Sequence, residues 1–81
     1  MRLDKFLKVS RVIKRRTLAK EVCDSGHALV NGRVAKAGLE VKPGDRVELN
    51  FGPRKLIFEI LDIKETVPAK EAGSLYKIIE Q

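Results

Sequence analysis

Gly26 is where this chain changes period, and that change constrains the fold more than any other feature. Before it, apolar residues recur at helical spacing; after it, they fall into short runs cut by turn residues. Leu3, Phe6 and Leu7 lie at i, i+3 and i+4, which predicts a short helix over residues 3–9 with one apolar face. Arg2, Lys5 and Lys8 step by three along another face. Asp4 stands in the first turn, where a carboxylate favours the helix dipole and reaches Lys8 at i+4, a structural role. Ser10 to Arg15 shows no period and reads as a loop. A second helix is expected from about Arg16 to Ser25, with Leu18, Ala19, Val22 and Cys23 as its apolar stripe and Arg16 and Lys20 aligned outside. Gly26 then ends it, because glycine takes the left-handed conformation of a helix terminus cheaply.

The remainder reads as strands. Asn31-Gly32 between Ala28-Leu29-Val30 and Arg33-Val34-Ala35 is a hairpin signature, since Asn-Gly accepts the positive φ angles of a type I′ turn. Pro43-Gly44 suits the centre of a type II turn. Val47, Leu49 and Phe51 alternate as a half-buried strand does. Gly52-Pro53 turns the chain into Leu56–Leu61, apolar on both parities. Residues 64–74 are polar and read as a loop, and Leu75 to Ile79 supplies a last strand. Two helices followed by about five short strands give an α+β fold: short N-terminal helices packed on a small antiparallel sheet.

At 81 residues there is room for one domain, 1–81, and 43% hydrophobic residues suffice for a core. No apolar run exceeds three residues, whereas a spanning helix needs about 20, so no membrane segment is expected. The single cysteine, Cys23, makes no internal disulfide, and with no export signal the expected compartment is the cytoplasm.

Charge is distributed unevenly. Residues 1–20 carry eight basic residues against Asp4 alone, a net of +7, while residues 21–81 carry nine basic and ten acidic, a net of −1. Crowding like charge costs stability through self-repulsion, so an anionic partner is the economical explanation. A solvated basic face without a partner is the competing one. The interleaved Leu3, Phe6, Leu7, Val12, Ile13 and Leu18 make the segment a folded face, not a loose basic arm.

Catalytic chemistry is not visible. His27 is the only histidine and has no second ligand nearby, so no metal site is expected; it could bond the end of the second helix or touch a phosphate. Cys23 reads as a small buried hydrophobe. The glycines are dispersed at turns, Gly38 being the least clear, and form no phosphate-cradling loop. No cofactor is implied, and the chain reads as a non-enzyme.

Five motifs in order carry a family resemblance: Arg2-Leu3-Asp4-Lys5-Phe6-Leu7, Lys14-Arg15-Arg16-Thr17-Leu18-Ala19-Lys20, Ser25-Gly26-His27, Val30-Asn31-Gly32-Arg33-Val34 and Val41-Lys42-Pro43-Gly44-Asp45. Together they resemble the S-four RNA-binding domain, or alpha-L motif, over residues 2–51, with 52–81 completing the sheet. The family usually has Ser or Thr as the second helix's N-cap where this chain has Arg15, a change that loses about 1 kcal/mol of capping; Thr17 is the alternative cap. Among stand-alone members the resemblance is to the factors of ribosome-associated quality control.

The resemblance implies an RNA-binding factor of the large ribosomal subunit. It would contact large-subunit ribosomal RNA and peptidyl-tRNA and assist RqcH in adding C-terminal alanine tails to stalled chains. A heat-shock-type factor recycling large subunits, or a generic RNA-binding module of ribosome assembly, is the alternative. The expected RNA-binding residues are Arg2, Lys5, Lys8, Arg11, Lys14, Arg15, Arg16, Thr17 and Lys20, with Arg2 and Arg16 foremost, and Lys36 an outlier of the same patch. Phe6, Phe51, Phe58 and Tyr76 fall at core-like positions, which leaves little for base stacking and favours recognition of folded RNA by shape. A protein-interaction sheet bearing Glu48, Glu59 and Asp62 competes with this reading. An anionic membrane is disfavoured because the helices are short and the chain lacks Trp. A monomer is expected when free.

Overall fold

The computed structural model describes residues 1–80. Helix α1 spans Leu3–Val9 and α2 spans Arg16–Val22, and α2 widens into a π-type turn over Cys23–His27. The α-helical part of the second helix thus stops at Val22, and the wider turn carries it on to the expected end. The chain leaves it at Gly26, whose φ of 87° is the left-handed exit expected there. Five antiparallel strands follow: β1 Ala28–Val30, β2 Arg33–Val34, β3 Arg46–Phe51, β4 Arg54–Ile60 and β5 Tyr76–Glu80, in sheet order β2-β1-β3-β4-β5. Two of the four neighbouring pairs, β1–β2 and β3–β4, are tight hairpins, and longer connections bring β3 beside β1 and β5 beside β4.

The turns follow their chemistry. Asn31 and Gly32 have φ of 53° and 85°, and Val30 faces Arg33 across the two-residue turn. Gly44 has φ of 94°, and the Asp45 N–H donates to the Lys42 carbonyl at 3.1 Å, closing the Pro43-Gly44 turn. Asp45 is buried. Its carboxylate accepts from Asn31 Nδ2 at 3.1 Å and from the Lys42 N–H at 3.0 Å, tying the two turns together. Burial raises its pKa, but these donors outweigh burial and hold the carboxyl below its ordinary value.

The core lies between the helices and one face of the sheet. Leu3, Phe6, Leu7, Ala19 and Cys23 meet Ala28, Val30, Val47, Leu49, Phe58 and Ile60. Phe6, Phe58 and Tyr76 form its aromatic row, with ring centroids 6.3 and 5.3 Å apart. Two expected core residues are outside it: Leu18 is 48% exposed and Phe51 40%. A seven-residue helix turns only its Ala19–Cys23 flank inward, so the buried stripe is narrower than predicted. The expected 64–74 loop contains a 3-10 helix at Ala69–Leu75, which seats Ala72 and Leu75 in the interior.

Candidate nucleic-acid interface

The N-terminus is stitched to the segment after β2. The Leu3 N–H donates to the Leu39 carbonyl at 2.8 Å, the Val41 N–H to the Met1 carbonyl at 2.9 Å, and Arg2 bridges Glu40. The Met1 ammonium lies 2.7 Å from the Glu40 carboxylate. These bonds fix Arg2 immediately before α1, on the same side of the molecule as the start of α2.

Asp4 joins the two. Its side chain is 3% exposed, and it accepts from Arg2 Nε at 3.1 Å and Arg16 Nε at 3.5 Å, with the Lys5 N–H at 2.8 Å. The expected Lys8 partner is not used. A guanidinium fork matches a carboxylate better than an ammonium does, and Asp4 is buried against the two guanidinium groups. Burial raises the Asp4 pKa, but the Arg2 hydrogen bond, the Arg16 charge and the Lys5 N–H outweigh it. The carboxyl is held below its ordinary value and is ionised at neutral pH.

The consequence lies in the arginines. Each uses Nε toward Asp4 and leaves its side chain about half exposed, 49% for Arg2 and 48% for Arg16. Two planar forks are held on one buried anion, with N–H donors left to face solvent. Gly38 sits beneath the Arg2 guanidinium; a Cβ there would lie 3.8 Å from the guanidinium carbon, an ordinary contact. Gly38 therefore belongs beside this pair, not to a left-handed turn.

Around the pair, Arg11, Lys14, Arg15, Thr17 and Lys20 are all exposed, and among the described residues none of their side chains forms an ion pair. Arg15 is the N-cap in extended conformation and makes no side-chain cap bond, so the helix starts at Arg16 and Thr17 lies inside its first turn, not at a shifted cap. Lys8 is half-buried. Lys5 departs from the expected set, because its Nζ lies 2.7 Å from Glu65 Oε1. Lys36 is also engaged elsewhere, donating to the Asp24 carbonyl at 3.2 Å beside the end of α2, while the Ala37 N–H bonds the Asp24 carboxylate. His27 is exposed and, among the described residues, its side chain makes no hydrogen bond.

Arg11 stands apart in its backbone. It occupies the left-handed region at φ 62°, just past the C-cap of α1, with its N–H donating to the Lys8 carbonyl at 3.1 Å. The end of α2 meets the same need with Gly26. An arginine at such a position costs about 1–2 kcal/mol relative to glycine's freedom.

Cys23 is buried, and burial, with Asp4 and Asp24 nearby, pushes its thiol up to about 11, so it is a protonated core side chain at neutral pH. Among the described residues no group of His, Cys, Asp and Glu could hold a metal ion, and no helix is long and apolar enough to cross a membrane.

Residues 1–47 match the S4 domain family. The RQC P-site tRNA stabilizing factor of Halalkalibacterium halodurans is 60% identical over 78 residues, covering 96% of this chain and 89% of that protein. Its namesake from Bacillus subtilis is 51% identical over all 81 residues and 94% of its own length. Among solved structures, the trimeric Heat Shock Protein 15 of Vibrio cholerae superposes with a TM-score of 0.88 at 32% identity, covering 98% of this chain and 81% of that one. The hypothetical protein HP1423, determined in solution, gives a TM-score of 0.82 at 36% identity over 100% of this chain and 99% of that one.

Proposed function

The chain belongs to the S4 domain family, and from that premise we propose that it binds the large ribosomal subunit, contacting ribosomal RNA and the P-site tRNA beside it. In that position it assists RqcH in extending stalled nascent chains with C-terminal alanine. The observation that carries the RNA assignment is the Arg2–Asp4–Arg16 cluster: two half-exposed guanidinium groups held on one buried carboxylate. Forks fixed in this way match phosphate oxygens and lose little freedom on binding. The names of relatives from several bacteria support the ribosomal role. The fold likeness to Heat Shock Protein 15 supports a second reading, recycling of large subunits carrying peptidyl-tRNA.

The contact set proposed is Arg2, Arg16, Arg11, Lys14, Arg15 and Lys20, with Thr17 donating its hydroxyl. Lys8 extends the field from the rim, and Lys5 joins only if Glu65 releases it. Ultraviolet crosslinking in cells, with sequencing of the RNA recovered on the tagged protein, tests the role directly. A sharp peak in large-subunit ribosomal RNA together with tRNA is expected; reads scattered over all abundant RNA would remove the ribosomal assignment. Loss of alanine tails on stalled chains when the gene is deleted separates quality control from recycling.

Arg11 supplies a prediction of opposite signs. Arg11→Gly relieves the left-handed backbone, so stability should rise by about 1 kcal/mol, seen as a Tm higher by about 4–8 °C. The same change removes a phosphate contact, and RNA affinity should fall several-fold, with the salt slope flatter by about one. A variant that is more stable and binds RNA as tightly as wild type would take Arg11 out of the interface.

A further inference from the structure

Three of the four aromatic residues form the interior row, and Phe51 is the one left out. A single exposed apolar residue carries no meaning by itself. The setting of Phe51 does. It is the last residue of β3 and faces Arg54 directly across the Gly52-Pro53 turn, so the ring and the guanidinium leave the sheet on the same side. With Pro53, Lys55, Leu56 and Glu80 they line an open groove of about 720 Å³ at the tip of the β3–β4 hairpin. Among the described residues neither Arg54 nor Lys55 is in an ion pair; Arg54 shares the face of the ring, and Lys55, opposite Asn50, borders the groove from the other face of the strand.

We propose that this hairpin tip is a second RNA contact that takes one unpaired nucleotide, the base stacking on Phe51 and the flanking phosphates meeting Arg54 and Lys55. An exposed aromatic face bordered by cations is the equipment with which proteins hold single-stranded nucleic acid, because every base has a π-face and every linkage a charge. The proposal rests on the chain being RNA-binding but not on the helix-borne surface. The helices offer phosphate forks without an aromatic, whereas the tip offers an aromatic with cations. Two surfaces of different chemistry let one small domain hold a folded RNA and an unpaired nucleotide at once. An extended protein segment is the competing occupant of such a groove, but it has no need of two uncommitted cations on an aromatic rim.

The test is an NMR titration of the full chain with single-stranded hexaadenylate RNA, and with inorganic polyphosphate as an anion without bases. Hexaadenylate should shift the amides of Phe51, Arg54, Lys55 and Leu56 and the Phe51 ring protons, and polyphosphate should leave the ring unmoved. Phe51→Ala should lower affinity at the tip about tenfold. Phe51→Leu should behave as alanine does, and Phe51→Tyr should retain binding, with Tm measured for each. The exposure of Phe51 makes all three compatible with folding. Equal binding by the leucine variant, equal ring shifts with polyphosphate, or a tip that ignores RNA and docks only a protein segment would each overturn the proposal. Resonances of α1 and α2 report the helix face separately, so failure of the tip and failure of the primary interface are distinguishable.

Discussion

Asp4→Ala is expected to weaken RNA binding about tenfold although it raises the net charge of the chain from +6 to +7. Counterion release alone predicts the reverse, since removing an anion from a cationic face strengthens the attraction for phosphate. The difference lies in order. With Asp4 in place, Arg2 and Arg16 each hold one oxygen of its carboxylate, at 3.1 and 3.5 Å, and are placed before RNA arrives. Without it, both side chains must be immobilised on binding, at about 0.5–1.5 kcal/mol each. Two such costs amount to about 1–3 kcal/mol, and 1.4 kcal/mol is a factor of ten. Asp4→Asn, which keeps the shape and one acceptor, should lie between. Binding by the alanine variant as tight as wild type, measured at matched salt with the fold confirmed by Tm, would show that the arginines need no anchor.

The same carboxylate contributes to the acid sensitivity of the fold. Asp4 and Asp45 are both held below their ordinary value of 3.8 in the folded state. A depressed carboxylate contributes stability that is present above the unfolded pKa and lost as pH falls through the folded one. Stability from these two groups is therefore flat at neutral pH and declines from about pH 4 downward, and Asp4→Asn should remove part of that decline.

Local signals explain why the framework was legible in the sequence. Helix α1, the Asn31-Gly32 hairpin and the Pro43-Gly44 turn are each specified by residues within a few positions of one another, and each is found as expected. What escaped was tertiary. Asp4 meets Arg16 across 12 positions and Lys5 meets Glu65 across 60, and no periodicity reports such pairings. Leu18 and Phe51 fit apolar patterns and yet lie outside, because pattern states where a side chain could be buried and not how far the opposing layer extends. The Ala69–Leu75 helix has no side-chain cap and too short a run to show a stripe. Arg2 and Arg16 were legible as cations; that they form one unit was not.

Removing the charge of both arginines together should produce the largest loss of binding in this chain, and the choice of replacement decides whether the experiment can be read. Alanine at both positions would leave Asp4, 3% exposed, without its two charged partners. Stranding a buried charge in this way costs about 3–5 kcal/mol, enough to unfold a small domain. Arg2→Gln with Arg16→Gln keeps N–H donors within reach of the carboxylate and removes only the charge and the fork. Wild-type affinity for purified large subunits is expected to fall with salt at a log–log slope of roughly −4 to −7, as for five to eight neutralised phosphates. The double glutamine variant should flatten that slope by about two and lose at least about a hundredfold in affinity, each charge-assisted contact being worth roughly 1.5–3 kcal/mol. A wild-type slope near −1 would mean that the cationic face is not an RNA surface at all. A steep wild-type slope that the double variant fails to change would place the contacts on Arg11, Lys14, Arg15 and Lys20, and would leave Asp4 holding two arginines only for the sake of the fold.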